Sequence, residues 1–234
     1  MNALSFQPMD VPGDRVSLFL RSVYGWMFIG LAVTALTAGT IASSTALVET
    51  VALDPVFLWG MVIVELVLVF VLSSRVDRLQ PATAEGLLIL YSALTGVTTS
   101  IVLLVYANVS VITAFVITSG MFGAMALFGS ITKKSLTGAG QFLLMGLIGL
   151  VLASVVSLFW LRDTLQFLIS LVGVIVFTGL TAWDAQRLRR MAGSLSAERA
   201  GSYAVAGALA LYLDFINLFF SLLRLTGKRR NEWR

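Results

Sequence analysis

The sequence predicts an all-α membrane protein with seven transmembrane helices, and three observations carry that prediction. Hydrophobic residues make up 58% of the 234 positions, charged residues only 12%, and mean hydropathy is +0.94. A soluble domain carries about 25% charged residues. Seven stretches are apolar over roughly the ~20 residues needed to cross a bilayer core: 22–42, 55–72, 86–106, 111–131, 138–161, 165–183 and 203–223. The links between them are short, so no soluble domain fits anywhere.

Taken in order, residues 1–21 read as a flexible N-terminal tail, with Pro8, Pro12 and Gly13 near its middle. The tail lacks the basic start, apolar core and cleavage site of a signal peptide. The first span then serves as an uncleaved insertion signal. The unit 22–225 is the seven-helix domain, and 226–234 is a basic C-terminal tail. In the fourth span Ser119 and Gly123, and in the fifth Gly149 and Ala153, have the spacing that lets helix backbones approach, and ordinary packing explains them. Trp26, Trp59, Trp160, Trp183 and Trp233 mostly fall near span ends, as interfacial anchors should.

Orientation follows from the cations. With the N-terminus inside, the inner segments hold Arg15, Arg21, Arg75, Arg78, Lys133, Lys134, Arg187, Arg189, Arg190 and Arg199, while the outer links hold only Arg162. This asymmetry predicts a cytoplasmic N-terminus. Seven full crossings leave Arg224, Lys228, Arg229, Arg230 and Arg234 outside. Either the tail is a tolerated exception or the last segment enters and returns. That segment has no proline and only Gly207 as glycine, which favours a full helix.

The chain has no cysteine and no histidine. That excludes disulfides, zinc–thiolate sites, thiol nucleophiles, Ser-His-Asp triads and histidine-held haem. It also excludes a rhomboid-type serine protease. The net charge of +4 is accounted for by basic loops rather than by nucleic acid.

Three of the twelve carboxylates stand where charge is costly: Glu65 in the second span, Asp184 at the end of the sixth and Asp214 in the seventh. An ionisable group at the helix centre costs ~2.5–3.5 kcal/mol even on lenient insertion scales. Glu65 reads as path-lining or as a hydrogen-bonded packing residue, and Asp184 as a site residue or as an interfacial partner of Arg187 or Arg189. Asp214, Asn217 and Ser221 share one helical stripe, which should face the bundle interior or a watery cavity. Carboxylate oxygens suit hard cations such as Ca²⁺, which would make Asp184 and Asp214 its ligands. Two close carboxylates cannot both ionise easily, so a pair can also sense protons. An intramembrane aspartyl protease would use a similar pair, but Leu211, Tyr212 and Leu213 precede Asp214 where presenilin-type proteases carry GxGD. No lysine lies inside an apolar run, so a retinal protein is excluded as well.

Segments 178–186 (Thr-Gly-Leu-Thr-Ala-Trp-Asp-Ala-Gln) and 208–218 (Ala-Leu-Ala-Leu-Tyr-Leu-Asp-Phe-Ile-Asn-Leu) resemble the two signature segments of the Bax-inhibitor family. The run 130–138 (Ser-Ile-Thr-Lys-Lys-Ser-Leu-Thr-Gly) is also similar to the family, and the resemblance is nearest its bacterial branch. The resemblance implies six helices surrounding a central C-terminal helix. It also implies a pH-sensitive calcium leak in the bacterial inner membrane, controlled by a carboxylate pair matching Asp184 and Asp214. In the family an arginine on the second helix latches that pair, and Arg75 is the candidate by position rather than by motif, lying at the inner end of the second span level with Asp184. Ca²⁺ would be a permeant or transiently bound ion, and no other cofactor is implied.

The expected function is therefore a pH-gated cation leak. The alternative is a non-conducting membrane interaction protein that regulates a membrane protease or a stress response, with the N-terminal tail as its contact. An enzyme is the least expected class. One geometric tension stands: Asp184 closes its apolar run, whereas Asp214 lies about eleven residues, or ~15 Å, into its own.

Overall fold

The structure, a computed structural model, describes residues 12–48, 55–159 and 163–230. The sequence-predicted tail therefore lies outside it for residues 1–11, as do Trp160, Arg162, Trp233 and Arg234. The described chain is helical: α1 (Pro12–Ala42), the single turn α2 (Thr45–Leu47), α3 (Pro55–Ser74), α4 (Pro81–Val105), α5 (Asn108–Ile131), α6 (Thr137–Phe159), α7 (Asp163–Ala192) and α8 (Ala197–Thr226). All except α2 are long and apolar enough to cross a membrane, giving the seven expected spans. Backbone groups in hydrocarbon must be satisfied within the segment, and helices do this.

Several helices outrun their apolar segments. The first starts at Pro12 rather than residue 22, so residues 12–21 of the expected tail are helical. α7 continues nine residues past Trp183, to Ala192, and α8 starts six residues before Tyr203. An apolar run marks the hydrocarbon-embedded part, but a helix can continue into the polar interface, where long cationic side chains reach water. Proline in the first turn of α4 needs no N–H donor and helps begin that helix at position 81.

α8 is continuous and is the most buried of the spans. It packs directly against five of the six other spans: α1, α3, α4, α5 and α7. Leu209, Leu211, Tyr212 and Phe215 of α8 share one core with Val23, Met27, Leu72, Leu88, Phe122 and Leu188. Leu150 of α6 reaches α8 through a second cluster containing Leu218 and Leu222. Outward-facing side chains such as Phe28, Phe70 and Phe142 are exposed, as a lipid-facing surface requires.

Polar contacts fix the contact of α1, α4 and α8. The Thr34 hydroxyl donates to the Ser92 carbonyl at 2.8 Å, so the Tyr212 hydroxyl, 2.6 Å away, donates to Thr34 Oγ1. The full-helix reading of the last segment also places 227–230 at the end of the bundle opposite the α7–α8 turn. There the Ala107 N–H donates to the Lys228 carbonyl and the Lys228 N–H to Ser110 Oγ, both at 3.0 Å.

Close approaches use other small residues than those the spacing suggested. A Cβ added at Gly123 or Gly149 would meet open space, and Ser119 is exposed. At Gly129 it would collide with the Ala182 backbone, and at Gly140 with the Trp183 ring. Trp183 is thus a packing residue against α6 rather than an interfacial anchor. Trp26 lies mid-helix in α1, packed on the core. Small-residue spacing by itself does not say which helix face meets a neighbour. Overpacking costs ~1–3 kcal/mol, and collision with rigid backbone falls at the upper end. Gly129→Val should therefore lower the thermal midpoint in detergent by several degrees, whereas Gly123→Val should leave it nearly unchanged.

Candidate functional site

The lower part of α7 is held from outside the α7–α8 contact. Gln186 donates through Nε2 to the Lys134 carbonyl at 2.8 Å, and its Oε1 accepts the Leu136 N–H at 2.9 Å. Arg190 also reaches Gln186 Oε1, and donates to Thr137 Oγ1 at 3.2 Å. Arg189 donates to the Ser130 carbonyl. The α5–α6 link is therefore clamped onto α7 by side chains within two turns of Asp184. Two of the segments that carry the sequence resemblance, 130–138 and 178–186, touch each other here.

Asp184, Leu188 and Met191 follow one another on one face of α7, while Tyr203, Gly207, Ala210 and Asp214 form a facing stripe on α8. The register is set by close approaches. Gly207 lies against Leu188, where a Cβ would collide, and a Cβ at Gly173 would come within 2.6 Å of Ser221 Oγ. One turn deeper than the Leu188–Gly207 contact, Asp184 is level with Ala210, and Asp214 is four residues further along, about 6 Å. The helical extensions beyond Trp183 and before Tyr203 thus remove the expected depth mismatch. That register makes the two carboxyl groups neighbours across the α7–α8 contact.

Both acids are buried, and Asp214 Oδ2 has no hydrogen-bond partner. A cavity of about 150 Å³ opens at Asp184, walled by Ser73 and Val76 at the end of α3, by Arg187 and Met191 of α7, and by Tyr203 and Ala210 of α8. Arg187 stands 3.9 Å from Asp184 Oδ1 with 61% of its side chain exposed, and its guanidinium lies 5.5 Å from the Trp183 ring centre. This is a cation held at the mouth by an aromatic face and a carboxylate together. On the α3 side, Tyr203 donates to Asp77 Oδ1 at 2.6 Å, Arg199 lies 3.8 Å from the same oxygen, and Ser202 donates to the Leu79 carbonyl at 2.7 Å. These contacts fasten the α3–α4 link to the first turns of α8.

The structure therefore brings Asp184 and Asp214 together. Arg75 is exposed in the α3–α4 link, next to wall residues Ser73 and Val76, and the cation at ion-pair range of Asp184 is Arg187. Asn217 and Ser221 sit elsewhere: they line a second cavity toward α6 and bond back to their own helix, at Leu213 and Asn217 respectively. Glu65 is half-buried on α3 and accepts from Thr98 Oγ1 of α4 at 3.2 Å, outside the cavity at Asp184. The residues that sequence reasoning missed are Gln186, Tyr203 and Asp77. Gln186 stood inside the quoted 178–186 segment, but between Asp184 and Arg187 its polar side chain gave no separate signal. Nothing local marks Asp77 and Tyr203, which are 126 positions apart.

The arrangement can do two things chemically. A carboxyl pair exchanging one proton can tie two helices when protonated and repel when both groups ionise. Two carboxylates next to a cavity also offer a hard cation oxygen ligands, with water completing the six to eight that Ca²⁺ takes. Among the described residues no third Asp or Glu completes a metal-binding cluster around them.

The family model described as inhibitor of apoptosis-promoting Bax1 matches residues 16–231. The inner membrane protein YbhL of Escherichia coli (strain K12) is 46% identical over 223 residues, covering 94% of this chain and 95% of its own. An uncharacterized protein of Deinococcus radiodurans is 43% identical over 92% of this chain and 93% of its own. One from Borreliella burgdorferi is 40% identical with the same coverage.

Gln186→Leu would remove at least three hydrogen bonds to the α5–α6 link and the Arg190 contact. At about 1 kcal/mol for each net bond, stability should fall by ~2–3 kcal/mol. Amide hydrogen exchange at 132–138 should rise in this variant before the rest of the bundle does.

Proposed function

The chain belongs to the Bax-inhibitor family, and we propose that it is a pH-sensitive cation leak of the bacterial inner membrane, with Ca²⁺ as the conducted ion. The observation that carries this reading is the meeting of Asp184 and Asp214 across α7 and α8 beside a cavity that opens at Asp184. The inner-membrane setting is supported by seven spans and by the likeness to the inner membrane protein of E. coli.

In the closed state a proton shared by the pair holds α7 to α8. The charged and titratable groups facing that pair are few among the described residues: Arg187 on α7 and Tyr203 on α8 line the cavity, with Asp77 and Arg199 behind Tyr203. Loss of the shared proton leaves two adjacent carboxylates with one cation, Arg187, at ion-pair range of Asp184. Their repulsion is relieved by separation or by drawing a cation in. α3 is the wall that yields, because its packing is confined mainly to α4 and it makes only a slight contact with α8. While the pair shares one proton it carries a single negative charge, and Arg75, on the link that ends this wall, would hold the wall closed by pairing with that charge. Opening would admit a hydrated cation to oxygen ligands on Asp184 and Asp214.

The sign of the pH dependence follows. Protonation favours the closed tie and deprotonation favours opening, so Ca²⁺ flux into proteoliposomes should rise from mildly acidic to mildly alkaline pH. Asp214→Asn keeps the side chain's shape but removes the ionisation, and its flux should lose most of that pH dependence. An unchanged profile in this variant would contradict the gate. Absence of flux from folded, correctly inserted protein would favour the non-conducting regulatory role instead.

A further inference from the structure

Between the acid pair and the opposite end of the bundle, two cavities share one residue. The first, about 390 Å³, is a groove between α6, α7 and α8, walled mainly by apolar side chains such as Leu147, Val151, Phe177 and Phe220. Of its polar members, Asn217 and Ser221 each donate to their own helix backbone, and Ser154 and Arg224 complete the polar part of the wall. The second, about 190 Å³, is polar and lies at the helix ends, with Asp163, Gln166, Arg224 and Arg229 in its wall. Arg224 lines both.

The polar cavity is built rather than incidental. Arg229 is carried on the short segment after α8, which is pinned by the Ala107–Lys228 and Lys228–Ser110 bonds and by a backbone bridge between Tyr106 and Arg229. Among the described residues, the side chains of Arg224, Arg229 and Asp163 are exposed and make no hydrogen bond or ion pair with one another. Two cations and one anion therefore share one polar wall. The adjoining groove runs along α7 from Ile169 to Phe177, roughly 12 Å at 1.5 Å per residue.

We infer that this composite cavity binds an aminophospholipid of the phosphatidylethanolamine class. Its phosphate lies between Arg224 and Arg229, its ammonium meets Asp163, and one acyl chain lies in the α6–α7–α8 groove. Charge complementarity selects this occupant. Guanidinium groups bind phosphate oxygens by charge-assisted, often bidentate bonds. Basic pockets between transmembrane helices suit lipid headgroups. The carboxylate in the same wall accepts from a primary ammonium, which a choline headgroup lacks and a glycerol headgroup replaces with neutral hydroxyls. The groove offers its occupant a mainly apolar wall.

Native mass spectrometry of the full-length protein, delipidated in detergent and titrated with palmitoyl-oleoyl phosphatidylethanolamine, phosphatidylglycerol or phosphatidylcholine, tests this. The native chain should retain phosphatidylethanolamine over the other two. Arg224→Ala should weaken its binding about tenfold, as expected for loss of a charge-assisted contact. Ser154→Trp, on exposed α6, should fill the groove and weaken binding without touching the headgroup. Asp163→Asn should erase the preference for the amine. Binding unchanged by Arg224→Ala or by Ser154→Trp would overturn the proposal, as would tighter binding of phosphatidylglycerol by the native chain.

Discussion

Two carboxyl groups placed against each other between packed helices govern much of what surrounds them. Asp184 meets water only through the cavity that opens at it, Asp214 is buried behind it, and one oxygen of Asp214 lacks any partner. Ionising both in such a setting is opposed by desolvation and by mutual repulsion. The protein meets this constraint with a rigid frame. Gly207 lets Leu188 seat against α8, Gly129 lets α5 touch the α7 backbone, and Gln186 locks the α5–α6 link onto α7. The acids are thus held at a fixed register, while the third wall of their cavity, the end of α3, packs mainly on α4, buries Leu72 in the core, and is joined to the start of α8 through the exposed Asp77–Tyr203–Arg199 contacts of the link that follows it.

That contrast in fastening is the basis of the proposed gate. Buried packing against α7 and α8 is costly to break, whereas exposed ion pairs are worth about 0–1 kcal/mol. A change in charge on the acid pair is therefore best expressed by moving α3. α8 can hardly move as a body, since it buries side chains against α1, α4, α5 and α7 at once. The Tyr212–Thr34–Ser92 bonds reinforce that anchoring away from the acids.

Much of this was legible in the sequence, for physical reasons. Seven apolar runs translate directly into seven spans because hydrocarbon tolerates little else. Asp184 and Asp214 stood out because charge inside an apolar run demands a reason. Helix ends were less legible: hydropathy marks where the bilayer begins, not where hydrogen bonding stops, and so residues 12–21 and 184–192 proved helical. That error alone created the apparent depth mismatch between the acids. The stripe Asp214–Asn217–Ser221 was correct as a helical face, yet Asn217 and Ser221 curve toward α6 and away from Asp184. Tertiary partners such as Gly129 with Ala182, or Asp77 with Tyr203, left no local signature because each partner is ordinary in its own segment.

The absence of cysteine from the chain makes the most direct test straightforward. Spin labels on Arg78→Cys, in the link after α3, and on Gly193→Cys, in the α7–α8 turn, would report the width of the cavity mouth by pulsed electron resonance in liposomes. The account predicts a longer separation at mildly alkaline than at mildly acidic pH in the native background, and one pH-independent separation in Asp214→Asn. An identical distance distribution at both pH values in the native background, under conditions where flux changes, would contradict gating by the acid pair.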